Sequence, residues 1–309
     1  MVDLQEVKMS DKFPLTTSAE SSNFPTASLR TFALRLTGRD FERFSRLVYD
    51  QCGIKLQSHK QSMLEARLRK RLRALGLGSF EEYAEMIFSG QEPEGELVKL
   101  IDVVTTNKTD FFREAAHFDF LIRTALPLLI GKDGAGVSRP LRIWSAGCST
   151  GKEPYTLAMV LSEYREAHPD FSFEILGTDI STEVLDKAVK GIYNEEKAAP
   201  IPPVLRQKYL LKSRCPAQQK VRIVPELRSL VRFRRLNFMD ADYDLRDPFD
   251  VIFCRNVLIY FDRATQERLL TRFAGYLESD CFLFLGHSET LLGLSLPLRQ
   301  MAPSVYRRL

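Results

Sequence analysis

The chain has 309 residues, 44 Lys+Arg against 40 Asp+Glu for a net charge of +4, and 44% hydrophobic residues. That suits about two globular domains. The charge is too mild to imply nucleic acid, and the richest apolar runs, such as 282–285, fall far short of the roughly 20 residues needed to cross a bilayer. Five cysteines, at 52, 148, 215, 254 and 281, contain no C-x-x-C pair. Their spacing argues against structural zinc and disulfides, and for a reducing, cytoplasmic setting.

Residues 1–31 are rich in Ser and Thr without periodicity, and predict a flexible tail. From Thr37 the pattern turns helical, with Asp40 placed to cap a helix holding Phe41, Phe44, Leu47 and Val48. A second helix is predicted over 60–75, closed by Gly76, and a third over 80–88, capped by Ser79 with Glu82 in a capping-box position. A fourth runs over 96–104. Residues 32–104 therefore read as an all-helical N-terminal domain. After Pro140 strands alternate with helices: strands at 141–146, 171–178, 249–254, 281–285 and 304–308, helices at 153–167, 181–190 and 263–277. This grammar predicts an α/β domain over 105–309 with an open, mostly parallel sheet. Residues 200–236, with Pro200, Pro202 and Pro203 and β-like runs at 221–224 and 230–236, read as a small inserted antiparallel subdomain.

Open α/β sheets bind ligands beyond the carboxyl ends of their strands. The first strand runs into Gly147-Cys-Ser-Thr-Gly151-Lys-Glu153. A P-loop is excluded, because one residue too few separates the glycines and no hydroxyl follows Lys152. A dinucleotide fingerprint lacks its third glycine, and Glu153 at the helix start would repel a pyrophosphate. A cofactor with amino and hydroxyl donors but no phosphate, such as S-adenosylmethionine, fits better. Asp179 ends the second strand, where a carboxylate can accept from ribose hydroxyls, with Ser181 placed to cap the next helix and leave Asp179 free. Arg255 and Asn256 break an apolar run at the third strand's end.

Five ordered motifs, T-T-N-x-T-x-F-F-R-E (105–114), W-S-A-x-x-S-T-G-x-E-P-Y (144–155), D-I-x-T-E-V-L (179–185), F-C-R-N-V-x-I-Y-F-D (253–262) and G-H-S-E (286–289), resemble the CheR family of chemotaxis-receptor glutamate methyltransferases over about residues 32–309. The resemblance implies a Rossmann-like methyltransferase sheet with a small β insertion behind a helical domain. It implies S-adenosylmethionine as cofactor, no metal, and contacts at Asn107, Thr109, Arg113, Glu153, Asp179, Asn237, Phe238, Asn256 and Val257. Lys152 stands where the family has an acidic residue, and Cys148 where it has a small one.

The implied chemistry is O-methylation of a protein glutamate, which is ionised at pH 7 and needs no general base. Tyr260 is placed to orient that carboxylate. The substrate would be the cytoplasmic part of chemoreceptors, met by a protein that is itself monomeric and not membrane-bound. Between Lys60 and Arg73 lie six basic residues against one acid, Glu65. Arg67, Arg69, Lys70, Arg71 and Arg73 suit docking on an acidic receptor surface better than nucleic acid, which would want interleaved aromatics. Loop 211–220 contains no glycine, with Ser213, Cys215 and Gln219 where family members tethered to a receptor's C-terminal pentapeptide carry glycines. The expectation is a loop of different course and no tight binding of such a peptide. Two other readings stay open: a degenerate, non-catalytic relative, and a nicotinamide oxidoreductase, the latter disfavoured by the missing glycine.

Overall fold

The computed structural model describes residues 35–309, and the tail expected over 1–31 lies outside them. Helix α1 (Gly38–Cys52) starts one turn earlier than the Asp40 cap predicts. Thr37 is the cap: its hydroxyl accepts the Asp40 N–H, and Asp40 accepts the Thr37 hydroxyl in return. Helix α2 (Gln61–Leu75) ends at Gly76 in the left-handed conformation. In α3 (Phe80–Phe88) the Ser79 hydroxyl accepts from the Glu82 N–H, while the Glu82 carboxylate reaches back one residue past the cap, to the Gly78 N–H at 2.9 Å. Helix α4 (Glu96–Val104) packs on α2, and Phe44, Val48, Leu64, Leu68, Tyr83 and Leu100 are completely buried between them. Two further helices, α5 (Ala116–Phe120) and α6 (Leu126–Asp133), are joined by a π turn and precede the first strand.

The main sheet has seven strands in the order β6-β2-β1-β7-β8-β10-β9. These are β1 (Leu141–Ala146), β2 (Phe173–Asp179), β6 (Val231–Arg235), β7 (Phe249–Cys254), β8 (Leu277–Leu285), β9 (Leu298–Ala302) and β10 (Val305–Arg308). β6, β2, β1, β7 and β8 pair in parallel, and β10 runs antiparallel to both neighbours. β7 and β8 are apolar and buried on both faces over 251–254 and 281–285, as parallel strands covered on two sides require. Helices α7 (Lys152–Ala167), α8 (Thr182–Lys190) and α11 (Arg263–Tyr276) connect the strands. Trp144 anchors the core with its indole N–H on the Thr178 hydroxyl at 2.8 Å.

One expectation is corrected. The runs at 221–224 and 230–236 do not belong to one insertion. β3 (Ile192–Asn194), β4 (Leu210–Lys212) and β5 (Lys220–Ile223) form a separate antiparallel sheet in the order β3-β5-β4, with α9 (Pro203–Tyr209) inserted. After α10 (Pro225–Arg228), β6 returns to the main sheet beside β2. Gly177 permits this: a Cβ there would lie 2.9 Å from the Phe233 ring, so the missing side chain makes room for the new edge strand. The insertion is therefore 192–223 rather than 200–236. In its 211–220 loop Gln219 adopts a left-handed φ of 45°, and the Ser213 N–H donates to the Lys220 carbonyl to close the hairpin.

Candidate active site

From β1 the chain builds outward through β2 to β6, then returns to the other side of β1 as β7. The crevice between β1 and β7 is thus the switch point where open α/β sheets place ligands. A cleft of about 930 Å³, counting space open to solvent at its mouth, lies there. It is lined by the ends of β1 (Gly147, Ser149), β2 (Asp179, Ile180), β6 (Leu236, Asn237, Phe238) and β7 (Arg255, Asn256, Val257), and by Tyr260. Cys52, Ile54 and segment 105–110 close it from the helical side. All ten residues expected as cofactor contacts or at the reacting centre line this one cleft.

Local geometry explains the cleft's shape. Gly147 has φ 81°, and a Cβ there would lie 2.5 Å from a Val257 methyl, so only glycine lets these two strand ends close together. Phe112, Glu114, Ser149 and Asn256 also take left-handed φ on the segments around the cleft, a strain that surrounding contacts must hold. Two of the bonds that tether segment 105–114 come from the turn after β1 and the start of α7: Ser149 Oγ donates to the Asn107 carbonyl (3.0 Å), and Lys152 Nζ to the Thr109 carbonyl (2.8 Å). Lys152 is buried, and burial lowers its pKa, with Asp110 opposing. The residue that departs from the family type is thus a strut of the cleft wall.

Asp179 was expected to be left free by a Ser181 cap. Instead Asp179 accepts the Ser149 N–H (2.8 Å) and the Ser181 N–H (3.0 Å). Ser181 makes no side-chain cap, and the start of α8 is held by Asp102, whose two oxygens take the Thr182 N–H and hydroxyl. Two backbone donors still leave about two acceptor positions on the carboxylate, enough for a diol. Burial raises its pKa against those N–H groups. The Asn237 amide is bonded to the Gln51 carbonyl (2.6 Å) and the Met239 N–H (3.1 Å), which joins the end of α1 to the end of β6. Tyr260 is half-buried. Burial raises its phenol, opposed by the Thr106 hydroxyl and the charges of Arg67 and Arg113.

Along one side of the cleft runs an ionic network of which the sequence reading singled out only Glu153 as a site residue. The Arg255 side chain is 2% exposed and bridges Glu114 (2.9 Å) and Glu153 (3.1 Å), and it donates to the Arg113 carbonyl. Glu153 also accepts from Ser145 Oγ at 2.7 Å. The two carboxyls shift oppositely. Burial raises Glu153 despite Arg255; at Glu114 burial is outweighed by the charge and hydrogen bonds of Arg255, and the pKa falls. His117 and His287 lie 3.6 and 3.9 Å from Glu114 Oε2. Two histidines and a carboxylate are a familiar metal set, but Arg255 already holds that oxygen, and its fixed charge would oppose a divalent ion. Glu114 and Arg255 stand inside the motifs at 105–114 and 253–262; a strand-end arginine in an apolar run was the signal for them.

The basic helix is narrower than its sequence implies. The Arg71 guanidinium is bound to the buried Glu96 at 2.7 and 2.8 Å. Arg67 turns to the Val104 and Thr105 carbonyls and the Thr106 hydroxyl. Both were expected to dock substrate; both are instead internal clamps, because the buried C-terminal carbonyls of α4 and its buried acid need cationic partners. Lys70 and Arg73 are exposed, and Arg69 is half-exposed beside Glu65.

The glycine turn after β1, the carboxylate ending β2, the acidic residue at the start of α7 and the sheet order define a methyltransferase that uses S-adenosylmethionine: these donors and acceptors fit a nucleoside with an amino acid and leave no phosphate seat. Comparison with known proteins narrows this. The all-alpha domain of CheR methyltransferases matches residues 39–105, and the SAM binding domain of the same family matches 107–306. The chain is 40% identical to the chemotaxis protein methyltransferase of Borreliella burgdorferi over 278 residues, 89% of this chain and 96% of that one. It is also 40% identical to the Escherichia coli chemotaxis protein methyltransferase (89% and 93% covered), and 41% identical to chemotaxis protein methyltransferase 2 of Pseudomonas aeruginosa (87% and 93%). The chain belongs to the CheR methyltransferase family.

Proposed function

We propose that this protein methylates glutamate side chains on the cytoplasmic domains of chemoreceptors, acting in the cytoplasm, with the strand-end cleft as its cofactor and reaction site. The observation that carries this is the convergence of Asn107, Thr109, Arg113, Glu153, Asp179, Asn237, Phe238, Asn256, Val257 and Tyr260 on one cleft at the switch point. Asp179 would accept the ribose hydroxyls, Asn256 and Val257 would seat the adenine side, and Arg113 would meet the amino acid carboxylate. When bound, S-adenosylmethionine supplies an electrophilic methyl group on a sulfonium. The receptor carboxylate is already ionised at pH 7, so the chain contributes alignment and exclusion of water rather than proton transfer. Tyr260 lines the cleft within the field of Arg67 and Arg113, where a phenol hydrogen bond would orient an incoming carboxylate. Substrate is met through the helical part, by Lys70, Arg69 and Arg73, and not through a receptor C-terminal pentapeptide.

Transfer of a labelled methyl group from S-adenosylmethionine to purified receptor, released as methanol by mild base, tests the reading. A base-stable product, or none, overturns it. A fluorescence-anisotropy titration tests the docking route: a low-micromolar pentapeptide complex lost on replacing 211–220 would refute it.

A further inference from the structure

Glu289 closes the last of the five motifs and does not line the cleft. It is 6% exposed, and its carboxylate meets four backbone N–H groups. Oε1 accepts from Val257 (2.8 Å) and Leu258 (2.7 Å); Oε2 accepts from Asn256 (2.9 Å) and Gly286 (2.6 Å). A carboxylate offers about four acceptor positions, so these donors fill it. Three consecutive N–H groups converging on one anion form a nest, a backbone concavity that an anion stabilises. Here the anion is the protein's own side chain.

The loop it holds would not take this shape unaided. Asn256 follows β7 with φ 59°, a region disfavoured for side chains, and the turn leaves three N–H groups without strand partners. Gly286 completes the clamp: a Cβ there would lie 2.8 Å from the Asn256 nitrogen and 2.9 Å from Glu289 Oε2. The same loop brings Val257 onto Gly147 and carries Tyr260 to the cleft wall.

We infer that Glu289 is a positioning residue for methyl transfer, fixing the turn after β7 so that Asn256 and Val257 present the adenine side of the cofactor seat. This rests on the reading that those two residues contact the cofactor. Glutamine is the discriminating substitution, because it nearly keeps the volume but replaces one acceptor oxygen by an NH₂ that faces N–H donors.

The test measures S-adenosylhomocysteine affinity by calorimetry, KM and kcat for S-adenosylmethionine and receptor, and melting temperature, for E289Q, E289D, G286A and N256A. We expect E289Q and G286A to raise the S-adenosylhomocysteine Kd and the S-adenosylmethionine KM at least tenfold while the receptor KM stays within twofold. E289D, which keeps the charge, recovers part of the loss. A purely structural role would lower the melting temperature or the active fraction, and hence kcat, with KM and Kd unchanged; that result overturns the inference. Should E289Q be insoluble, G286A carries the same thresholds, with E289D falling between G286A and wild type. If N256A binds normally, the cofactor-seat reading fails; if N256A is impaired while E289Q and G286A match wild type, only the positioning role fails.

Discussion

Arg71, in the helical part, and Arg255, at the end of β7, each neutralise a buried glutamate, but they do so in different ways. Arg71 grips Glu96 with two parallel bonds, and Tyr83 fills a further lone pair of the same carboxylate at 2.9 Å. Glu96 is fully buried and none of the three lines the cleft. Arg255 instead divides one charge between Glu114 and Glu153, and both Arg255 and Glu153 face the cleft. The closed pair locks α2 to α4. The open one is spread along the cleft, with Arg113 Nε also 3.9 Å from Glu114 and with Arg113, Arg255 and Glu153 all lining the cavity. Buried charge alone therefore does not mark a site; a charge network that borders a cavity does.

The largest effects should come from removing each arginine. Arg71→Leu and Arg255→Leu each strand buried carboxylate, a loss of roughly 3–5 kcal/mol of stability in urea melts. They should then part. In the folded fraction Arg71→Leu keeps S-adenosylhomocysteine affinity within twofold, while Arg255→Leu lowers methyl transfer by about two orders of magnitude, since it also frees the Arg113 backbone. Equal loss of affinity in both variants would break the comparison.

His117 sharpens it through pH. Both its ring nitrogens are buried without a hydrogen bond, and burial, then the charges of Arg255 and His287 against Glu114, push its pKa from 6.5 down to about 4. The unfolded chain thus takes up this proton first. His117 contributes stability that is complete above pH 6.5 and is lost as pH falls toward 4, up to about 3 kcal/mol. Because Glu153, Asp179 and Glu289 have raised pKa values and act in the opposite sense, the quantity to measure is wild type minus His117→Gln. That difference should shrink between pH 6.5 and 4; a constant difference would mean that His117 stays accessible to protons.

Asp179→Ala should weaken S-adenosylhomocysteine by roughly 1.5–3 kcal/mol in calorimetry, as expected for lost bonds to a charged acceptor. Unchanged affinity would remove Asp179 from the cofactor seat. The equivalent truncation in the closed pair, Tyr83→Phe, should leave affinity alone.

Much of this was legible in the sequence for physical reasons. The periodicity of 60–75, 80–88 and 96–104, with Gly76 and Ser79 as punctuation, placed three helices within a residue at each end, because local capping and apolar spacing determine them. The strand-end residues were found because glycine, acid and amide interrupt apolar runs. What escaped detection depends on distant partners. Leu230–Leu236 reads as β, but only Gly177, over fifty residues away, assigns it to the main sheet. Arg67 and Arg71 look like their exposed neighbours until α4 supplies the carbonyls and Glu96. Glu289 ends a recognised motif, yet its use appears only when three N–H groups from another strand end converge on it. Strand β9 follows a leucine-rich stretch broken by Gly293 and Pro297, without a strand-like alternation, and was missed altogether.

The smallest effect belongs to the exposed side of α2. With Arg67 and Arg71 turned inward, Lys70 and Arg73, three residues apart and so neighbours on the helix surface, carry the outward charge beside Arg69. Isolated surface charges contribute little, and their attraction for an acidic receptor is screened beyond about 10 Å at 0.1 M salt. Lys70→Glu with Arg73→Glu should therefore raise the receptor KM only about three- to tenfold at low ionic strength, a gap that closes as salt approaches about 0.5 M. S-adenosylhomocysteine affinity and melting temperature should stay at wild-type values, since neither residue holds a buried acid. Steering of this kind acts on encounter, so the loss should fall on the association rate in stopped-flow binding. If the deficit persisted at high salt, contact rather than attraction would be responsible, and if cofactor affinity fell too, the outer face of α2 would belong with Arg71 as part of the helical scaffold.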